Sequence, residues 1–339
     1  MSELRDTAAP VLASVLPTTT APDFDNSTTR SAVAQALLKQ GDPARRRKDI
    51  FMRCLVYAAF ALAMIPLISL LYTVIVNGVP HLSWNFLFTS MRGVFGGMPY
   101  GGIYHAVLGT VLITLGATII SVPIGLLTAV YLVEYGSGPL ARATTFFVDV
   151  MTGIPSIVAG LFSFSLFALI LGPGVRIGIA ASVALSVLMI PVVVRSCEEM
   201  LRLVPNELRE AAYALGVPKW LTIVKVVLRT SVAGLSTSVL LAIARVIGET
   251  APILITAGFA DSINANLFEG RMMTLPVFIY FQYQQGLAAC QPAAILAGTC
   301  VPDIRFMRAW AAALTLVFIV MVLNLLGRLV SKAFAPKVA

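Results

Sequence analysis

Ile243-Ala244-Arg245-Val246-Ile247-Gly248-Glu249-Thr250-Ala251-Pro252-Ile253 lies within a run, Thr230 to Ala260, that is otherwise uncharged and largely apolar. Such a run is long enough to cross the roughly 30 Å hydrocarbon core of a bilayer. A charge near the bilayer centre costs about 3 kcal/mol on insertion scales. Arg245 and Glu249 stand four residues apart, so a continuous helix would put them on one face and allow them to pair. Charge retained at that cost serves a polar pathway or a bound ion, unless the pair is purely structural.

Composition supports a membrane reading. The 339 residues are 58% hydrophobic and 12% charged, against roughly 25% charged in soluble domains. The net charge of +8 would suit nucleic acid, but the basic residues cluster in alternate loops. That is the positive-inside pattern of an integral membrane protein, and no nucleic-acid partner is expected. Six spans are expected, at about Leu55–Val76, Ala106–Val133, Val150–Val175, Ile177–Val194, Ser231–Ala260 and Ala309–Gly327. The fold class is therefore an all-α integral membrane protein with six transmembrane helices. Residues 1–49 read as a disordered cytoplasmic tail, with a short helix conceivable at Val33–Lys39, and residues 50–335 as the membrane domain. Arg45-Arg46-Arg47-Lys48 before the first span places the N-terminus inside, and an even number of spans returns the C-terminus there. The first apolar run begins only near Leu55, so no cleavable signal peptide is expected.

Metal and cofactor chemistry find little support. None of the four cysteines forms a Cys-x-x-Cys pair, and His81 and His105 stand far apart. Cys290 and Cys300 fall in one outside segment, as a disulfide or as two free thiols. The outside segments Asn77–His105 and Asp261–Arg308 could contact an external partner or merely cap the helices. Pro123, Pro155 and Pro191 lie within spans, where they either kink a helix or, for Pro155, start one.

The inside loop, about Glu198–Arg229, carries a second signal. Leu208, Ala211, Ala212 and Leu215 would share one face of a short helix ending at Gly216. Pro218 can open the next helix, in which Trp220, Ile223, Val224 and Val227 repeat with helical spacing along the membrane surface. The small Ala face would admit a close partner; the plain alternative is an interfacial loop.

Glu210-Ala211-Ala212, three residues and then Gly216, resembles the coupling motif of ABC-importer permeases. Arg229 stands where that family often has Pro, which puts a helix break there in question. Arg245 to Pro252, Gly153 to Phe162 (Gly-Ile-Pro-Ser-Ile-Val-Ala-Gly-Leu-Phe) and Ile190 to Arg195 are similar to permeases of phosphate ABC importers, PstA type. The likeness covers about residues 50–335. It implies a type I ABC importer permease fold, in which Glu210, Ala211, Ala212 and Gly216 engage the ATPase. It also implies a homologous permease partner, two cytoplasmic ATPase subunits and an extracytoplasmic phosphate-binding protein, in the cell (inner) membrane.

Arg binds phosphoryl oxygens bidentately and stays charged when buried. Arg245 and then Arg195 could meet an inward-moving anion, though Arg195 could equally snorkel at a helix end. Glu249 could neutralise Arg245 or accept a hydrogen bond from protonated phosphate. The chain has no Gly-Lys dipeptide, so it lacks the phosphate-cradling loop of an ATPase. No catalytic constellation stands out, and neither enzymatic activity nor a cofactor is expected. Other readings are a permease for sulfate or molybdate, an ion-driven secondary transporter, or a membrane anchor without transport.

Overall fold

The computed structural model describes residues 43–334, and the N-terminal segment before Pro43, including Val33–Lys39, lies outside the described residues. Their regular structure is entirely helical, with no strand among the described residues. The chain divides into two units between Ser69 and Leu70. Helix α1 (Pro43–Gly78) starts the membrane domain, so residues 43–49 are helical rather than tail. Up to Ser69 its described side chains are almost all exposed, as an apolar helix facing lipid or a partner would be.

In the second unit, α2 (Trp84–Phe88) is a short surface helix. It is followed by α3 (Tyr104–Val130), which closes in a π turn at Tyr131–Tyr135. Next come α4 (Pro139–Thr152), α5 (Ser156–Leu171) and α6 (Gly178–Arg202). The inside loop holds α7 (Asn206–Ala214) and α8 (Lys219–Thr222), which runs through a π turn at Ile223–Val227 into α9 (Leu228–Val246). Short helices α10 (Ala251–Thr256), α11 (Leu275–Gln284) and α12 (Pro292–Leu296) precede the last span, α13 (Ile304–Phe334). Five described helices are long and apolar enough to cross a membrane, or six if the bent α4–α5 pair forms one span.

Small residues let α3 and α6 pack backbone to backbone. A Cβ on Gly116 would meet Ser182 Oγ at 2.6 Å, and one on Gly125 would meet Val193 Cγ1 at 2.7 Å. Ser182 Oγ donates to the Ile113 carbonyl at 3.0 Å. Without a hydrophobic drive between helices in lipid, such close packing and interhelical hydrogen bonds hold the bundle.

Four expectations need correction. The third span is not one helix: α4 and α5 meet at 105° across Gly153-Ile154-Pro155. Pro155 starts α5, because a proline ring excludes continuation from the preceding turn. The amphipathic stretch from Trp220 is not a separate helix. It forms the first turns of one continuous 28-residue helical segment, Lys219–Val246. Arg229 leaves the backbone hydrogen bonding intact where a proline would have broken it. Helix α6 extends to Arg202, so Glu198 is helical and the loop begins after it. Lastly, the outside segment after Asp261 does more than cap helices, because Met272, Met273, Leu275, Val277 and Phe278 are buried in the bundle. The Leu275 N–H donates to Thr110 Oγ1 at 2.8 Å, and Gly109 makes room for the Met273 carbonyl.

Candidate functional site

The fifth span breaks at the charged stretch. Helix α9 ends at Val246, and α10 begins at Ala251 with Pro252 in its first turn. A proline there would collide with the carbonyl of Gly248 in a continuous helix, so the chain must leave helical geometry. Arg245 sits in the last turn of α9, where a cation complements the helix dipole. Glu249 lies in the break. The single-face pairing expected from the sequence therefore does not form: no ion pair joins Arg245 to Glu249 among the described residues. The Arg245 side chain is exposed and Glu249 half-buried.

Two signature stretches meet at this break. A Cβ on Gly160 of α5 would come within 2.7 Å of Pro252 Cα, so glycine is required for α5 to pack on α10. Beyond α10 the chain turns through Gly258 at φ +73°, beside the Arg176 and Arg271 side chains. Both arginines are exposed, so the end of the span away from the loop carries further positive charge. Asp261 follows, and partial burial pushes its carboxyl above the ordinary range.

Arg195 occupies a different setting. It is ion-paired with Asp149 of α4 and with Glu198 at 2.8 Å. Glu198 is buried and also binds Arg202 at 2.6 Å. Two arginines and two carboxylates thus form a neutral network that ties α4 to α6. The Ser238 hydroxyl donates to the Ser196 carbonyl at 3.2 Å and sets the register of α9 on α6. Arg245 lies seven residues beyond Ser238, about 10 Å along the axis from the Arg195 level.

The loop helix α7 carries Glu210 and Ala211 exposed, with Ala212 buried against the bundle. It ends as the sequence implies. The Gly216 and Val217 N–H groups return to the carbonyls of Tyr213 and Ala212, with Gly216 at φ +75°. This left-handed cap is one that a side chain disfavours. Leu203, Leu208, Tyr213 and Leu215 are exposed on the loop, Leu215 to 84%. A cluster of exposed apolar side chains on one loop suits a contact with another protein.

The sequence reading missed how this loop is anchored. Arg209 sends Nε and Nη2 to Glu134 Oε1 at 3.1 and 2.9 Å. Its Nη1 donates to the Val204 carbonyl at 2.7 Å. The two side chains are 13% and 5% exposed. Lys219 Nζ sits 4.4 Å over the Tyr135 ring. Both contacts end on the π turn that closes α3. Partners 75 residues apart leave no local pattern; the one available signal was a carboxylate, Glu134, at the end of an apolar span.

At the opposite end, Cys290 and Cys300 form a disulfide. Gly97 lies against both sulfurs, and the Val301 N–H donates to the Gly97 carbonyl at 2.7 Å. The bridge closes a loop within the second outside segment, and the Val301–Gly97 hydrogen bond joins that loop to the first. The described residues hold no cluster suited to a metal ion.

A bundle with a broken charged span and an anchored helical loop defines the class, a transport permease. Residues 121–339 match the family described as binding-protein-dependent transport system inner membrane component. The chain is 46% identical over 287 residues to the phosphate transport system permease protein PstA 1 of Mycobacterium tuberculosis (strain CDC 1551 / Oshkosh), covering 84% of this chain and 89% of that protein. It is 36% identical over 295 residues to PstA of Yersinia pestis, covering 86% and 92%. The chain belongs to the binding-protein-dependent transport permeases, PstA type. Its fold matches the inward-facing MetNI methionine ABC transporter (TM-score 0.52, 19% identity, 75% of this chain and 100% of that one). It also matches a bacterial alginate ABC transporter (TM-score 0.53, 12% identity, 85% and 96%).

Proposed function

We infer that the chain is the transmembrane subunit of an ATP-driven inorganic phosphate importer in the plasma membrane. The observation that carries this is its similarity, over 84% of its length, to a permease named for phosphate transport. Neither a sulfate or molybdate permease nor an ion-driven transporter is favoured by any of these relatives. ATP hydrolysis resides on a separate partner.

In this proposal the loop end faces the cytoplasm, in keeping with its basic residues. A homologous permease subunit completes the pathway, two ATPases dock on α7, and an external phosphate-binding protein delivers the anion. Arg245 is the first fixed cation at mid-membrane, with its guanidinium free to bind phosphoryl oxygens. Glu249, within the break, accepts a hydrogen bond from the P–OH of HPO₄²⁻ or H₂PO₄⁻, which sulfate cannot offer near neutral pH. Arg195 lies further inward and is reached only by displacing Asp149. On the cytoplasmic side, Glu210, Ala211, Ala212 and Gly216 shape the ATPase-facing helix. The Arg209–Glu134 pair passes its movement to α3.

Uptake of radiolabelled phosphate by cells with and without the chain tests the reading, under excess sulfate and under ATP depletion. Deletion is expected to remove an ATP-dependent, sulfate-insensitive component. Unchanged uptake in a strain lacking other phosphate importers overturns it. Glu249→Gln is expected to retain transport but lose discrimination against sulfate; unchanged discrimination removes Glu249 from that role.

A further inference from the structure

A cavity of about 430 Å³ opens at the disulfide end, away from the broken span. It lies where α1 ends and α13 begins, and is lined by His81, Ser83, Asn85, Thr89 and Arg308 among others. Arg308 is buried, and its Nη2 donates to the carbonyls of Met98 and Tyr100. Its Nε is buried without an acceptor. Nη1 has no protein partner among the described residues either, and no described carboxylate pairs with this guanidinium. Arg305, one helical turn earlier, adds a second positive charge rather than a counterion.

A buried cation without a counterion is costly, and Arg308 lines a space that an anion can enter. Ser83 Oγ accepts from the Phe86 N–H and keeps its own proton to donate. The Asn85 side chain forms no hydrogen bond among the described residues, so its amide is free. Donors of this kind, around a planar guanidinium, suit a tetrahedral oxyanion with several acceptor oxygens. The exposed Tyr100 ring lines the cavity, and the rings of Trp84 and Phe88 are exposed on α2, the helix that carries Asn85. Such rings gather at the headgroup level of a bilayer.

We propose that this cavity binds a phosphoryl anion, with Arg308 as its anchor. Two sources supply that chemistry at this depth: the headgroup of an anionic phospholipid in the outer leaflet, and inorganic phosphate from outside. The site is separate from the Arg245 pathway, and its existence does not depend on the transport reading.

The full chain, purified in the complex it forms, is followed by thermal unfolding in detergent. Inorganic phosphate, short-chain phosphatidylglycerol and short-chain diacylglycerol are added in turn. The expected result is a rise of about 2–5 °C with a phosphate-bearing probe and none with diacylglycerol. Arg308→Gln is expected to abolish the rise. Asn85→Leu, which replaces the amide donor by an apolar side chain while leaving the carbonyl bonds of Arg308 intact, is expected to abolish it too, and serves if the first variant does not assemble. A rise with phosphatidylglycerol alone assigns the headgroup; a rise with both probes assigns free phosphate as a ligand. Equal response to all three probes overturns the proposal. So does a phosphate response that survives Arg308→Gln and Asn85→Leu but vanishes in Arg245→Gln, because that response belongs to the pathway.

Discussion

Arg245 and Arg195 bring the same guanidinium to neighbouring helices and meet opposite surroundings. Arg245 ends a helix at a break in the membrane and has no carboxylate partner among the described residues. Arg195 stands within a continuous helix and is held by Asp149 and Glu198. The difference is one of available charge. A cation already neutralised by two carboxylates attracts an anion weakly, whereas an unpaired one in low dielectric attracts it strongly. In the proposed function, substrate contact therefore falls to the broken helix and structural closure to the intact one.

The sharpest way to break this contrast is Arg245→Gln. Loss of the unpaired charge is expected to lower phosphate uptake about 10- to 100-fold, since a hydrogen bond to a charged group is worth about 1.5–3 kcal/mol. Uptake in cells, normalised to the amount of chain in the membrane, measures it. Retention of more than half the activity would remove Arg245 from the pathway.

The next effect falls on the loop. Glu134→Gln leaves Arg209 buried without its counterion, and breaking a buried pair costs roughly 3–5 kcal/mol. Because the pair joins α7 to the end of α3, the expected phenotype is uncoupling. ATP hydrolysis by the assembled complex persists while phosphate moved per ATP falls about tenfold. The double variant Glu134→Gln/Arg209→Gln removes the orphaned charge and should recover stability but not coupling. Recovery of both would make the pair a stability element only.

Smaller again is Gly160→Ala. The added methyl must displace the α10 backbone at Pro252, and overpacking of this kind costs about 1–3 kcal/mol. Since the contact braces the broken span, uptake is expected to fall a few-fold, together with the thermal midpoint of the complex. An unchanged midpoint would show that α10 yields without strain.

How much of this could be read from the chain depended on the range of the interaction. Apolar runs made the spans legible, because lipid forces length and hydropathy onto each span locally. The left-handed cap at Gly216 was legible for the same reason, as helix termination depends on a few adjacent residues. The break at Ile247–Thr250 was encoded in Gly248 and Pro252. Uniform hydropathy across Thr230–Ala260 hid it, and a continuous helix was expected with Arg245 and Glu249 on one face. The bend at Gly153-Ile154-Pro155 was hidden in the same way. The Arg209–Glu134 pair and the insertion of Met272–Phe278 are tertiary events, and neither has a periodic trace in one sequence.

Arg195→Gln gives the smallest expected effect and tests the comparison most finely. Asp149 is 59% exposed, so water can solvate it once its partner is gone, and a pair this open is worth about 0–1 kcal/mol. Glu198, although buried, keeps Arg202 at 2.6 Å and is not orphaned. Stability should therefore hardly change, and uptake should fall no more than about threefold if Arg195 only ties α4 to α6. Asp149→Asn separates the alternatives: it frees Arg195 from one carboxylate while leaving the guanidinium in place. If Arg195 meets phosphate by displacing Asp149, this variant should bind the anion more readily on the inward side and slow its release, and Arg195→Gln should match Arg245→Gln in severity. If the network is only a clamp, both single variants and the double should share one mild phenotype. A severe Arg195→Gln defect with intact stability would abolish the distinction between the two arginines and extend the substrate path from the broken helix into α6.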